Sequence, residues 1–494
     1  MTFPAKFPGS SLLESGPVAR MARSPFIVPL IVGCALFLQM LDSTVIAMAV
    51  PAMARSMDVD PVRLNIAITA YLLSVSVFIP VSGWVADRFG ARNVFVAAIA
   101  LFTVSSIFCG LANSLGELVA ARLAQGVAGA MMVPVGRIVM LRSISKADLM
   151  RATTYLTVPA LLGPALGPPI GGLITTVSSW RWIFLMNVPV GIIGIVLALI
   201  FIRDTRERDV PPLDWRGFLL TAIALACLVL GFETLGHGAA PWQVSALILL
   251  VGAVCVALYV RHAAHTPFPI IDLDLLRIPT FHASVIAGNL GRFTVGAAPF
   301  LMALLLQVVL GMTPFAAGMI TIAGATGAII AKFMIGPVFR RFGFRRVLTV
   351  NALIVALTIA ACGAVTPLTP PLVIMLVLFI GGVFRSLQLT GVNALAFADI
   401  PPERMSNATT FASMMQQLAF SVGVGIAALA LGASIAARGG TTMAIEDITV
   451  AFAVLALLAA SSALLFMRLS PRAGSEVSRG RAAPIDVPVS DGQT

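Results

Sequence analysis

Polar positions are rare along this chain, and long apolar stretches run between them. A helix needs about 20 apolar residues to cross a hydrocarbon core of roughly 30 Å. Fourteen stretches meet that length: 27–52, 64–86, 93–113, 116–140, 153–177, 181–202, 215–235, 242–261, 281–310, 315–337, 347–366, 371–398, 406–436 and 447–467. None alternates with a period of two, so they read as helices and not as barrel strands. The pattern predicts an all-α integral membrane protein with 14 transmembrane helices. The first run exceeds a signal-peptide core and contains Asp42, so it reads as a retained first helix.

Composition narrows the class further. Of 494 residues, 59% are hydrophobic and only 11% are charged. Soluble domains carry about 25% charged residues, so a soluble enzyme, a disordered chain and a secreted disulfide scaffold are excluded. Cys34, Cys109, Cys227, Cys255 and Cys362 stand singly in apolar runs, without ligand spacing, and read as packing residues. The net charge of +11 would suit nucleic acid in a soluble protein, but its distribution points elsewhere. With the N-terminus inside, 23 of the 32 Lys and Arg fall on the cytoplasmic side, and only Arg55, Arg63, Arg181 and Arg438 fall outside. This is the positive-inside pattern. It implies two cytoplasmic termini, a lipid bilayer as partner and no nucleic acid.

The chain repeats itself. Gly83-Trp84-Val85-Ala86-Asp87-Arg88-Phe89-Gly90-Ala91-Arg92 matches Gly336-Pro337-Val338-Phe339-Arg340-Arg341-Phe342-Gly343-Phe344-Arg345 at an offset of 253. A shorter pair, Arg122 to Gln125 and Arg385 to Gln388, recurs at an offset of 263. The expected division is a cytoplasmic segment 1–26, a six-helix bundle 27–203, a linker with two inserted helices 204–264, a second bundle 265–468 and a disordered tail 469–494. Duplicated halves with a site between them are a transporter architecture.

At these residues the chain resembles the major facilitator superfamily. The block Gly83 to Arg92 looks like its cytoplasmic loop motif. Gly163, Gly167, Pro168, Gly171 and Gly172 match the antiporter motif of helix 5, and Arg122 with Gln125 and Gly126 matches helix 4. Leu41 to Ile46 is similar to the opening of the 14-helix drug:H+ antiporter family, and Trp182 to Pro189 is typical there. Met131 to Arg137 is most like its MdtD-type bacterial branch. The resemblance implies a major facilitator fold of two six-helix bundles plus two inserted helices. It also implies a bacterial inner membrane and a multidrug exporter that exchanges its substrate for protons. Two departures stand out: Arg340 replaces Asp87 in the second loop motif, and Ala47 stands where the family often has Asn.

Charges inside a bilayer need a reason, since each costs at least about 2.5–3.5 kcal/mol at its centre. Asp42 is the one carboxylate deep in a span, with Glu233 near the end of another. Counting 1.5 Å per residue puts Asp42 and Arg122 at similar depth. They are the proton-coupling candidates: an ion pair that opens when Asp42 is protonated, or else a permanent lock between helices. Gly83, Asp87, Arg88, Gly90 and Arg92 are the gate candidates, with Arg88 and Arg92 holding Asp87. The family analogy directs Asp87 at the start of helix 13. The helix 5 glycines repeat at i, i+4 and i+8 and read as a close-packing face, which the resemblance sets against helix 8 or its 14-helix counterpart. Gln125, Asn289, Arg292, Gln307, Gln388, Asn393 and Gln416 are the substrate candidates. Positive charge without acids in the second half fits amphiphilic compounds or organic acid anions. His262 and His265 lack further ligands for a metal and read as headgroup-level groups. There is no phosphate-binding Gly-rich loop and no intramembrane nucleophile cluster, so neither an ATP-driven pump nor an enzyme is expected. No cofactor or metal is expected, only a proton gradient.

Overall fold

In the computed structural model, residues 26–144, 149–203, 210, 212–237, 241–401, 404–440 and 442–470 are described. The N-terminal segment to residue 25, the linker run 204–209 and the tail from 471 lie outside them. Among the described residues there are 14 membrane-length helical spans and no strands. They are α1 Ile27–Met57, α2 Asn65–Phe89, α3 Ala91–Leu111, α4 Leu115–Ser143 and α5 Leu149–Val177. Then come α6 Trp182–Phe201, α7 Trp215–His237, α8 Trp242–Ala263, α9 Pro279–Val309 and α10 Pro314–Phe342. The last are α11 Phe344–Gly363, α12 Pro371–Ala396, α13 Met405–Ala437 and α14 Ile445–Phe466. Twelve are long and apolar enough to cross a membrane by composition alone.

Local chemistry sets the helix ends. Ser114 accepts from the Glu117 amide and Glu117 returns a bond to the Asn113 amide, which starts α4. Thr313 caps α10 just ahead of Pro314. Gly90 and Gly343 take φ of 94° and 74° at equivalent turns of the repeated loop, a region that favours glycine. Two spans are irregular: α6 breaks at Met186, and α9 ends in a π turn over Leu305–Val309.

The first six and last six helices pack by one scheme. α1 lies on α5, α2 and α3 lie on α4, and α3 lies on α6. In the same way α9 lies on α13, α10 and α11 on α12, and α11 on α14. α5 against α10 and α2 against α13 join the two sets. The inserted pair packs on itself and, through α7, on α13 and α2. Few residues of α6 and α8 are buried within the protein, whereas most of α2 is, so α6 and α8 present more of their surface to lipid.

The structure corrects the shorter repeat. Gly126 packs against Tyr71 and Ser74 of α2, and Gly382 packs against Gly324 of α10, so these two glycines correspond. Arg122 precedes Gly126 by four residues, whereas Arg385 follows Gly382 by three. Arg385 therefore stands about 10 Å further along its helix and is not the counterpart of Arg122.

The small face of α5 serves two partners. Gly163, Gly167 and Gly171 lie against Met40, Thr44 and Val45 of α1. Only Gly172 meets α10, at Pro314 and Phe315, beside a second close approach of Gly318 to Pro168. The helix 5 motif thus fixes α5 to its own half first and touches the opposite half at one end. A side chain at Gly167 would overlap Thr44. Gly167→Leu is expected to lower stability by about 1–3 kcal/mol or to prevent folding, read as a drop in the thermal midpoint of the purified protein.

Candidate functional site

Asp42 is completely buried in α1 and its carboxylate is held by three donors. Arg122 Nη1 of α4 donates to Oδ2 at 2.7 Å. Gln125 Nε2 and Asn187 Nδ2 donate to Oδ1 at 3.1 and 2.9 Å. Arg122 Nη1 also reaches Gln125 Oε1 at 2.5 Å, and its Nε donates to the Ala67 carbonyl of α2 at 3.2 Å. The guanidinium lies 4.3 Å from the Tyr71 ring centre, which adds a cation–π contact. Ser106 of α3 takes bonds from both amides, at 2.8 and 3.3 Å. One carboxylate thereby ties α1, α2, α3, α4 and α6 together.

The sequence explains each placement. Arg122 and Gln125 are three apart on α4 and share a face. The break at Met186 starts a new helical segment at Asn187 and turns its amide inward. Asn187 was absent from the sequence-derived site; its place within the Trp182 to Pro189 motif was the signal that could have found it. Gln125, expected to bind substrate, belongs instead to this buried knot. The knot is not saturated: Arg122 Nη2 and Asn187 Oδ1 have no partner.

A second polar group forms in the last six helices. Arg292 Nη1 donates to Asn289 Oδ1 at 2.8 Å and Nη2 to Asn393 Oδ1 at 2.5 Å. Asn351 Nδ2 donates to Gln388 Oε1 at 2.7 Å. Arg292 and Gln388 line one cavity together with Arg385. Gln307 is elsewhere: its amide donates to the Met48 carbonyl at 3.0 Å, a strut between α9 and α1. Gln416 is half-buried on α13 and is not part of the group.

At the basic end of the bundle Asp87 accepts from Arg142 of α4 at 3.0 Å. Arg88 and Arg92, expected to hold it, do not; Arg92 leans on Asn93 at 3.4 Å. No described contact joins Asp87 to the start of α13. A Cβ at Gly83 would meet nothing within 4 Å, so Gly83 itself makes no close helix contact here. His262 is likewise corrected: it meets Asp214 at 2.7 Å across the α7–α8 pair. No group of metal ligands occurs among the described residues. The side chain of Glu233 lies outside them.

Duplicated helical halves with a buried ion pair in one and polar clusters in both define a membrane transporter, not an enzyme. The family model described as Major Facilitator Superfamily matches residues 32–424 and 285–490. The MdtD protein of Citrobacter koseri, which bears a multidrug-resistance name, is 38% identical over 444 residues, 89% of this chain and 93% of that protein. The MdtD protein of Salmonella typhimurium is 39% identical over 407 residues, 81% and 85% of the two chains. The chain belongs to the major facilitator superfamily. Solved structures agree on the fold. A POT family transporter bound to a thioalcohol-conjugated peptide has a TM-score of 0.67 at 16% identity, covering 92% of this chain and 96% of that one. The inward-open xylose transporter XylE from E. coli has 0.62 at 14%, covering 91% and 97%.

Removing one partner of a buried ion pair strands the other charge, at about 3–5 kcal/mol. Arg122→Leu is therefore expected to destabilise more than the double change Asp42→Asn with Arg122→Gln. Thermal midpoints of the purified variants check the order; a double variant no better than the single removes the pairing.

Proposed function

We propose that the chain is a proton-driven exporter of drugs or other small amphiphilic molecules, working by alternating access. The observation that carries the proposal is Asp42, fully buried yet held by donors from two other helices. Ionised, it fastens α1 to α4 and α6. Protonated, it gives up its attraction for Arg122, and Asn187 Oδ1 stands ready to accept the new O–H after an amide flip. A proton thus loosens the first half from within and needs no cofactor.

The bonds between the halves support a particular state. Phe315 donates its amide to Thr176 Oγ1 at 3.1 Å, Gln307 reaches Met48, and Ser421 Oγ reaches the Thr69 carbonyl at 3.4 Å. The first two pairs sit at the helix ends opposite the basic loops, and Thr69 lies in the first turns of α2. With the basic loops and both termini in the cytoplasm of a bacterial inner membrane, these bonds close the outer side of the molecule. Asp87, paired with Arg142 of its own half, is then the latch of the gate. Arg88, Gly90 and Arg92 form its turn. Cargo enters between the halves, where Asn289, Arg292, Gln388 and Asn393 are the candidate contacts. A second reading, export of organic acid anions, is favoured by the cationic lining of that half.

In proteoliposomes, imposing an acid exterior is expected to drive a lipophilic cation outward with counterflow of protons. Asp42→Asn is expected to abolish that coupling while substrate still binds; proton flux that survives the change would end the assignment. Cysteines at Thr176 and Phe315 are expected to cross-link under oxidation and stop transport, with activity restored by a reducing agent.

A further inference from the structure

The stretch 279–398 contains seven Lys and Arg and no Asp or Glu. Two of these cations, Arg292 of α9 and Arg385 of α12, line one cavity. Arg292 is 2% exposed and Gln388, beside it, is 6% exposed. Arg292 spends both terminal nitrogens on amide oxygens, and its Nε has no partner. Gln388 accepts from Asn351, and its Nε2 has no partner. Arg385 gives its Nε to the Gly381 carbonyl of its own helix. Two guanidiniums and two unused donors therefore converge where no side chain offers negative charge. Buried charges are ordinarily paired.

The first half makes the imbalance specific. Gly167 packs at Thr44, two residues past Asp42, and Gly423 packs at Phe293, one residue past Arg292. Arg292 thus stands in α9, the helix that packs on α13 in the second half as α1, with Asp42, packs on α5 in the first. One half carries its own anion on that helix; the other carries a cation.

We propose that Arg292, Arg385 and Gln388 form an anion site within the last six helices. Its cavity of about 10 Å³ is the size that holds one water-sized particle. The ligand is accordingly a single small negative group: a halide-sized inorganic ion, or one carboxylate of the cargo against the planar fork of an arginine. This deepens the exporter reading by naming a charge class for the cavity, and it rests on that reading only for the carboxylate source.

The test is anion binding, not transport. The thermal midpoint of the purified full-length protein is titrated with sodium chloride and, separately, sodium acetate, with ionic strength held by a bulky sulfonate salt. A saturable rise is expected, and Arg385→Gln is expected to raise the half-effect concentration about tenfold, the worth of one charged hydrogen bond. Arg385→Lys, which keeps the charge, is expected to retain most of the response. Where Arg385→Gln does not fold, Gln388→Leu removes the unused donor together with the oxygen that Asn351 donates to, and it is expected to shift the same curve in the same direction, with Asn351→Leu, which removes that amide bond and leaves Gln388 in place, as the control. Saturation by chloride alone identifies an inorganic ion, and saturation by acetate alone identifies a carboxylate; either supports the site. No saturable response to either salt, or curves identical in wild type and variants, overturns it. Asp42-dependent proton flux is measured apart from this, so either result leaves the other standing.

Discussion

A carboxylate without water must find its hydrogen bonds in protein, and the first half of this molecule is arranged around that demand at Asp42. Its three donors come from α4 and α6, and their own second partners come from α2 and α3. Lipid supplies no hydrophobic drive for helices to associate. A polar knot supplies position as well as energy, since its donors are directional. Breaking it by charge removal is therefore a mechanical event and not only a chemical one.

Close backbone approach is the complementary device. Gly163, Gly167 and Gly171 seat α5 on α1 just below and above the knot, so the ion pair and the glycine face hold the same helix from two sides. Close approach also joins the halves, with Gly172 on Pro314 and Gly318 on Pro168, and a handful of hydrogen bonds run beside them. Two helix pairs, α5 with α10 and α2 with α13, carry the packing between the halves, which suits two bodies that rock about those seams.

Much of this was legible in the residues. Continuous apolar runs located all fourteen helices, because lipid leaves a chain little choice of structure. Depth counting along two antiparallel helices brought Asp42 to Arg122, since helical rise is nearly constant. Partners set by tertiary detail were not legible. Arg142 rather than Arg88 or Arg92 holds Asp87, because neighbours in sequence at a helix end point away from one another. Asn187 was hidden because its inward turn depends on a helix break at Met186. The Arg-x-x-Gln pair misled because it recurs on equivalent helices at different heights, which only the Gly126 and Gly382 contacts reveal.

The placement of the inserted pair gives the molecule a front and a back. α7 and α8 cover the seam where α2 meets α13, whereas the described residues put nothing over the seam between α5 and α10. A compound dissolved in the bilayer, diffusing in two dimensions, finds one flank walled and the other bare. The inserted helices thus make the two flanks of this molecule physically unlike, a property their own motif-free sequence does not announce.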